Sequence, residues 1–214
     1  MAKSKPIQAK EPIMKTQSFN RRQLVSKFAP AAFLLALAAP VMAQGGYRGN
    51  GPGPGTTVTA QPITAEEAKW LTWMREEEKL ARDVYQQLFE KWNLSIFRNI
   101  AASEERHYSS VGTLLSRCGV PDPAQNNPAG VYSDSRLTAL YNELMAKGTR
   151  SQNDALEVGV LIEKADIADL EAALQATTRL DIKRVYTNLL NGSFNHLEAF
   201  ETTMEILGAL VPAN

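Results

Sequence analysis

The chain has 214 residues with 23 Lys+Arg, 23 Asp+Glu, 44% hydrophobic residues and a single cysteine. That length holds one domain. The balanced charge and apolar content exclude a wholly disordered chain and a strongly basic nucleic-acid binder, and one Cys excludes a disulfide framework or a Cys-rich zinc site.

The neutrality hides an asymmetry. Residues 1–43 carry seven bases (Lys3, Lys5, Lys10, Lys15, Arg21, Arg22 and Lys27) and one acid, Glu11, so residues 44–214 have 16 basic and 22 acidic side chains, a net of −6. The apolar run Phe28 to Pro40 is too short and too Ala-rich for a stable membrane span, and it ends in Val41-Met42-Ala43, where a signal peptidase would cut. Residues 1–43 therefore read as a cleavable export signal with Gln44 the first mature residue; the alternative is an uncleaved amphipathic anchor. The expected location is periplasmic or secreted, with no stable membrane span after cleavage. Arg21-Arg22 followed by Gln23-Leu24-Val25 resembles a twin-arginine leader, with Asn20 and Leu24 departing from its usual pattern.

Residues 44–63 are dense in Gly and Pro and read as a flexible linker. The folded domain is expected over 64–214, opening where Thr64 and Glu67 have the spacing of a helix-capping box. From there the pattern is helical, with no convincing strand. Helix one should run about 65–91, aligning Leu71, Met74, Glu78, Ala81, Tyr85 and Leu88. Helix two should run about 96–118, from a Ser95 cap to a Gly119-Val120-Pro121 stop, aligning Phe97, Ile100, Glu104, His107, Val111, Leu114 and Cys118. A Pro/Asn/Gly connection over 122–130 leads to a short helix, 134–147, ended by Gly148. Helix three should start behind Ser151 with Leu156, Val160, Glu163, Ile167, Leu170 and Leu174 in line. Helix four should start behind Asp181, aligning Ile182, Val185, Leu189, Ser193, His196, Phe200, Thr203, Leu207 and Leu210. Narrow stripes of this kind let four helices close around one core, as an antiparallel bundle with one long crossover that contains the short helix.

The residues that break the stripes carry the chemistry, because a buried carboxylate or imidazole is costly unless paired or bound to metal. They are Glu78, Glu104 with His107, Glu163, and Ser193 with His196, each near the middle of its helix. Positions three apart on a helix point the same way, so Glu104 and His107 can hold one ion together. A lone core histidine is usually only hydrogen-bonded, but here both histidines of the chain fall on core stripes. Carboxylate plus imidazole suits iron or manganese. One Glu from each of two helices plus Glu-x-x-His from two others is the ligand pattern of di-iron carboxylate bundles.

Over about 65–210 the chain resembles the ferritin-like superfamily, nearest to rubrerythrin-like proteins. The carriers are Glu78 to Tyr85 (EKLARDVY) in helix one, Glu104-Glu105-Arg106-His107 in helix two, Gly159 to Asp166 (GVLIEKAD) in helix three and Ser193-Phe194-Asn195-His196 in helix four. The wider phrasing EEEKLARDVY, IAASEERH and NLLNGSFNHLEAF resembles a bacterial ferritin-like family, domain of unknown function 2202. The resemblance implies metal ligands at Glu78, Glu104, His107, Glu163 and His196, with one or two iron or manganese ions. It also marks Ser193 as standing where the second Glu-x-x-His has Glu. Losing that carboxylate predicts an asymmetric site, and Asp166, one turn from Glu163, could compensate. Glu77 adjoins Glu78 and competes with it as the helix-one ligand; the acidic run could also be partly a solvated face. Tyr85 and Tyr108 are expected near the site, Cys118 as a small buried hydrophobe and Glu157 as a surface acid.

The function expected is that of an exported oxidoreductase, ferroxidase-like, reacting with oxygen or peroxide. The alternatives are a metal-binding or stress-associated bundle without turnover and a metal-free helical adaptor. Rubrerythrins often carry a Cys-rich rubredoxin module that this chain lacks, so a reductant would come from elsewhere. A monomer or homodimer is expected, and no nucleic-acid partner.

Overall fold

A computed structural model describes residues 62–210 and consists there of five helices with no strand. The expected export signal and all of the linker but Pro62 and Ile63 lie outside the described residues. The helices are α1 (Ala65–Trp92), α2 (Ser95–Cys118), α3 (Ser135–Gly148), α4 (Gln152–Gln175) and α5 (Leu180–Leu210).

Their ends follow from local chemistry. Thr64 and Glu67 form the complete capping box at the start of α1. Asn93 in the left-handed region closes that helix, and only Asn93 and Leu94 lie between α1 and α2, so the two form a helical hairpin. The cap of α2 differs from expectation. Ser95 is the first helical residue, Leu94 holds the cap position, and no side chain caps it. At the other end Gly119 has φ +67, a conformation that glycine adopts without strain, and its N–H bonds back to Leu115 and Ser116. Asp134 caps α3 and Ser151 caps α4, each accepting from a backbone N–H inside its helix. Asp181 does not cap α5; it lies within the first turn, paired with Arg179 at 3.0 Å.

The helices form a bundle in which α1 packs on α2 and α4, α5 packs on α4 and α2, and α3 covers α1 and α4. The inward stripes meet in one core that includes Leu71, Met74, Leu88, Leu114, Leu170 and Leu189. Tyr85, Phe97 and Phe200 form an aromatic cluster within it, with ring centroids 5.3–6.1 Å apart.

A second face of α1 is buried too, by the crossover between α2 and α3. Lys79 donates to Asp83 at 2.6 Å and to the Pro128 carbonyl at 2.8 Å. Asp83 also accepts from the Gly130 N–H and the Tyr132 hydroxyl. Glu76 accepts from the backbone N–H of Ser133 and Asp134 where α3 begins, and Arg75 holds Asp122. These bonds satisfy backbone groups that a structureless crossover would otherwise have to leave to water.

Candidate metal centre

Helices α1, α2, α4 and α5 each contribute to one polar cluster near their middles. The 3.6-residue repeat puts Glu78 on the same stripe of α1 as Met74 and Tyr85, facing the other helices. In α2, Glu104 and His107 sit one turn apart on the inward face, and in α4, Glu163, Asp166 and Asp169 repeat at steps of three. In α5, Ser193 and His196 are both buried.

These side chains converge as two triads that share a member. Ligand atoms of Glu78, Glu104 and His107 all lie within 4.8 Å of one another, and so do those of Glu104, Glu163 and His196. His107 Nδ1 lies 2.9 Å from Glu104 Oε2 and 3.3 Å from Glu78 Oε2. On the other side His196 Nδ1 lies 2.8 Å from Glu104 Oε1 and 3.5 Å from Glu163 Oε2. Glu104 thus offers one oxygen to each triad, while the two imidazoles stack with centroids 5.5 Å apart. Glu163 is further held by the Tyr85 hydroxyl, which donates to Oε1 at 2.7 Å.

Several of these atoms are buried without an aligned hydrogen bond: Glu78 Oε1, Glu104 Oε1, Asp166 Oδ1, and Nδ1 of both histidines. Buried polar atoms normally make aligned hydrogen bonds; here they converge instead in close carboxylate–imidazole contacts. The donors are carboxylate oxygens and imidazole nitrogens without sulfur, a set that fits iron, manganese or zinc.

Electrostatics follow from packing carboxylates together away from water. Burial and the charges of Asp166, Glu104 and Glu163 push Glu78 well above the carboxylate range. Burial and the Glu104 charge lift Glu163 to about 8, and burial lifts Asp166 to about 7 despite the Ser193 hydrogen bond. Glu104 goes the other way. Burial opposes its charge, but the two imidazoles at its oxygens outweigh that and hold it at about 2. Burial likewise opposes the charge on His196, yet Glu104 and Glu163 raise it to about 9. The cluster keeps protons at neutral pH that incoming cations would displace.

All five residues expected as ligands are therefore brought together. Asp166 turns inward, as compensation for Ser193 requires: the Ser193 hydroxyl donates to its Oδ2. The acidic run in α1 is not a solvated face, since Glu76, Glu77 and Glu78 are all buried. Glu77 belongs to neither triad; both its oxygens lack a hydrogen-bond partner, and burial with the Asp169 and Asp166 charges raises it well above the carboxylate range. Tyr85 touches the cluster. Tyr108 instead packs its ring under Arg75 and Arg82. Cys118 is only half-buried, at the end of α2, and Glu157 is a partly exposed acid paired with Lys147. The sequence reading missed Asp169, which accepts from the Trp73 indole at 2.9 Å. Its signal was the continuation of Glu163 and Asp166 by one more step of three along α4.

Residues 67–213, which include the whole cluster, match the family described as an uncharacterized protein domain, DUF2202. The chain belongs to the DUF2202 family. Among relatives, it is 48% identical over 154 residues to the uncharacterized protein MJ0754 of Methanocaldococcus jannaschii, covering 72% of this chain and 83% of that protein. The crystal structure of hypothetical protein MJ0754 superposes with a TM-score of 0.69 over 72% of this chain and 87% of that one. A DUF305 fragment from Deinococcus radiodurans, 16% identical, has a TM-score of 0.53 over 67% of this chain and 98% of the fragment, a likeness of fold alone. Among the described residues of this DUF2202 protein, no helix is long and apolar enough to cross a membrane.

Proposed function

We propose that this protein is an exported ferritin-like four-helix bundle that binds one or two iron or manganese ions and reacts with oxygen or peroxide. The observation that carries the reading is the pair of triads sharing Glu104, with buried carboxylate and imidazole atoms converging without aligned hydrogen bonds. Glu78, Glu104 and His107 would hold one ion, and Glu104, Glu163 and His196 the other, with Asp166 and its partner Ser193 beside the pair. Metal bound there would supply the redox chemistry. The chain's own part is to bind, to orient Glu163 through Tyr85, and to surround the cluster with the apolar core that limits water.

A second reading, metal binding without turnover, is favoured by Ser193 standing where a carboxylate would complete the ligand set. A metal-free adaptor is the remaining outcome. The deciding experiment is metal stoichiometry of the purified protein after anaerobic loading with ferrous ion, then an absorption spectrum on admitting air. Two ions and a new near-ultraviolet band support oxidative chemistry; one or two ions without oxidation support binding alone; none leaves the adaptor. The shared ligand sharpens the test. Glu104→Gln should lose both ions, whereas His107→Ala and His196→Ala should each lose one. Unchanged metal content in both histidine variants would overturn the site.

A further inference from the structure

We propose that Gly192 is a positioning residue for the His107 imidazole. Gly192 lies inside α5, where glycine is a poor helix former compared with alanine, one residue before Ser193 and one turn before His196. A Cβ built there would stand 2.6 Å from Cε1 and 2.7 Å from Nε2 of His107, which reaches across from α2. Real side chains do not approach that closely, so either the ring or the helix must move.

The ring has little room to retreat. Its inner edge is set against Glu104 at 2.9 Å and Glu78 at 3.3 Å, and its face lies on the His196 ring, 5.5 Å away. Displacing it outward breaks the convergence of the first triad; pressing it inward crowds Glu104, which both triads share. The missing side chain on α5 therefore works as a seat on one helix for a ligand carried by another. Gly208, in the same helix, has nothing within 4 Å of a built Cβ and supplies a matched control.

The test is a double-mutant cycle on the metal-free full chain, read by thermal melting. Gly192→Ala should lower the melting temperature in the parent protein. Combined with His107→Ala it should leave the melting temperature equal or higher, because the ring it would strike is gone and alanine is the better helix former. Gly208→Ala should behave alike in both backgrounds. If Gly192→Ala has the same effect with and without His107, the proposal is overturned, and this arm needs no metal. If Gly192→Ala alone does not fold, folding of the double variant still supports it.

A second readout rests on the proposed metal site. With ferrous ion, Gly192→Ala should weaken the ion of the Glu78–Glu104–His107 triad by about 10–100-fold, the range that follows when a ligand's orientation is disturbed, and keep the other. Absence of ion from the parent protein would sink the metal reading while the melting cycle still judged Gly192. Parent-like binding of both ions by Gly192→Ala would sink the proposal for Gly192 alone.

Discussion

Tyr85 is the side chain through which the apolar core reaches the polar cluster. Its ring packs on Phe97 and Phe200, while its hydroxyl donates to Glu163 at 2.7 Å. Burial and the Glu163 charge raise the phenol well above its ordinary value, so it remains a donor across the physiological range. Tyr85→Phe keeps the packing and removes that donor. The expected cost to the metal-free protein is about 1–3 kcal/mol, the penalty for stranding a buried polar partner, measured by urea unfolding. Curves superimposable on the parent would show that Glu163 finds another donor. Ser193 plays a similar part for Asp166. Glu104, His107, Glu163 and His196 were legible as breaks in apolar stripes through helical spacing, whereas in α1 spacing left Glu77 and Glu78 as alternatives. For Asp169 the spacing was there, but its partner was not legible, since Trp73 lies 96 positions away in the chain.

Among the elements, α1 explains most of what sequence patterning left out. A helix with one neighbouring layer shows one apolar stripe, and the expected stripe from Leu71 to Leu88 is buried as read. The opposite face carries Arg75, Glu76, Lys79 and Asp83, which by composition belong in water. They are buried because the crossover lies over them and supplies their partners. Periodicity reports which face of a helix is apolar; it cannot report that a loop of polar backbone will cover the charged one. Asp83 is the centre of that cover, accepting from Lys79, Arg82, Gly130 and Tyr132. Asp83→Ala should cost about 3–5 kcal/mol, because it leaves the buried Lys79 ammonium without its carboxylate. Denaturant unfolding reads the loss, and limited proteolysis should then cut within 122–134. A change below about 1 kcal/mol would mean that surface-like screening persists around the pair.

For the molecule as a whole, the carboxylate cluster should set how stability depends on pH. Folding lifts Glu163 from 4.5 to about 8 and Asp166 from 3.8 to about 7, in both cases chiefly by burial. The folded state therefore holds protons that the unfolded chain releases, and stability falls as pH rises between about 4 and 8. His196 adds to the same trend. With its folded value raised from 6.5 to about 9, its contribution is full below 6.5 and lost as pH rises through 9. Glu104 has the opposite sign: held at about 2, it stabilises above its ordinary 4.5, and that contribution is lost as pH falls through 2. The metal-free melting temperature should accordingly be highest near pH 5 and decline towards pH 9. Cations bound at the proposed site would replace those protons, so metal binding should strengthen with pH and oppose the decline. At a hundredfold excess over Kd an ion adds about 2.7 kcal/mol, roughly 5–10 °C for a domain of this size. Melting curves from pH 5 to 9, with ferrous or manganous ion and with chelator, should therefore diverge as pH rises. A metal-free curve that is flat or climbs over that range would show that the carboxyls are neutralised by something other than shared protons. Parallel curves would show that no ion competes for them.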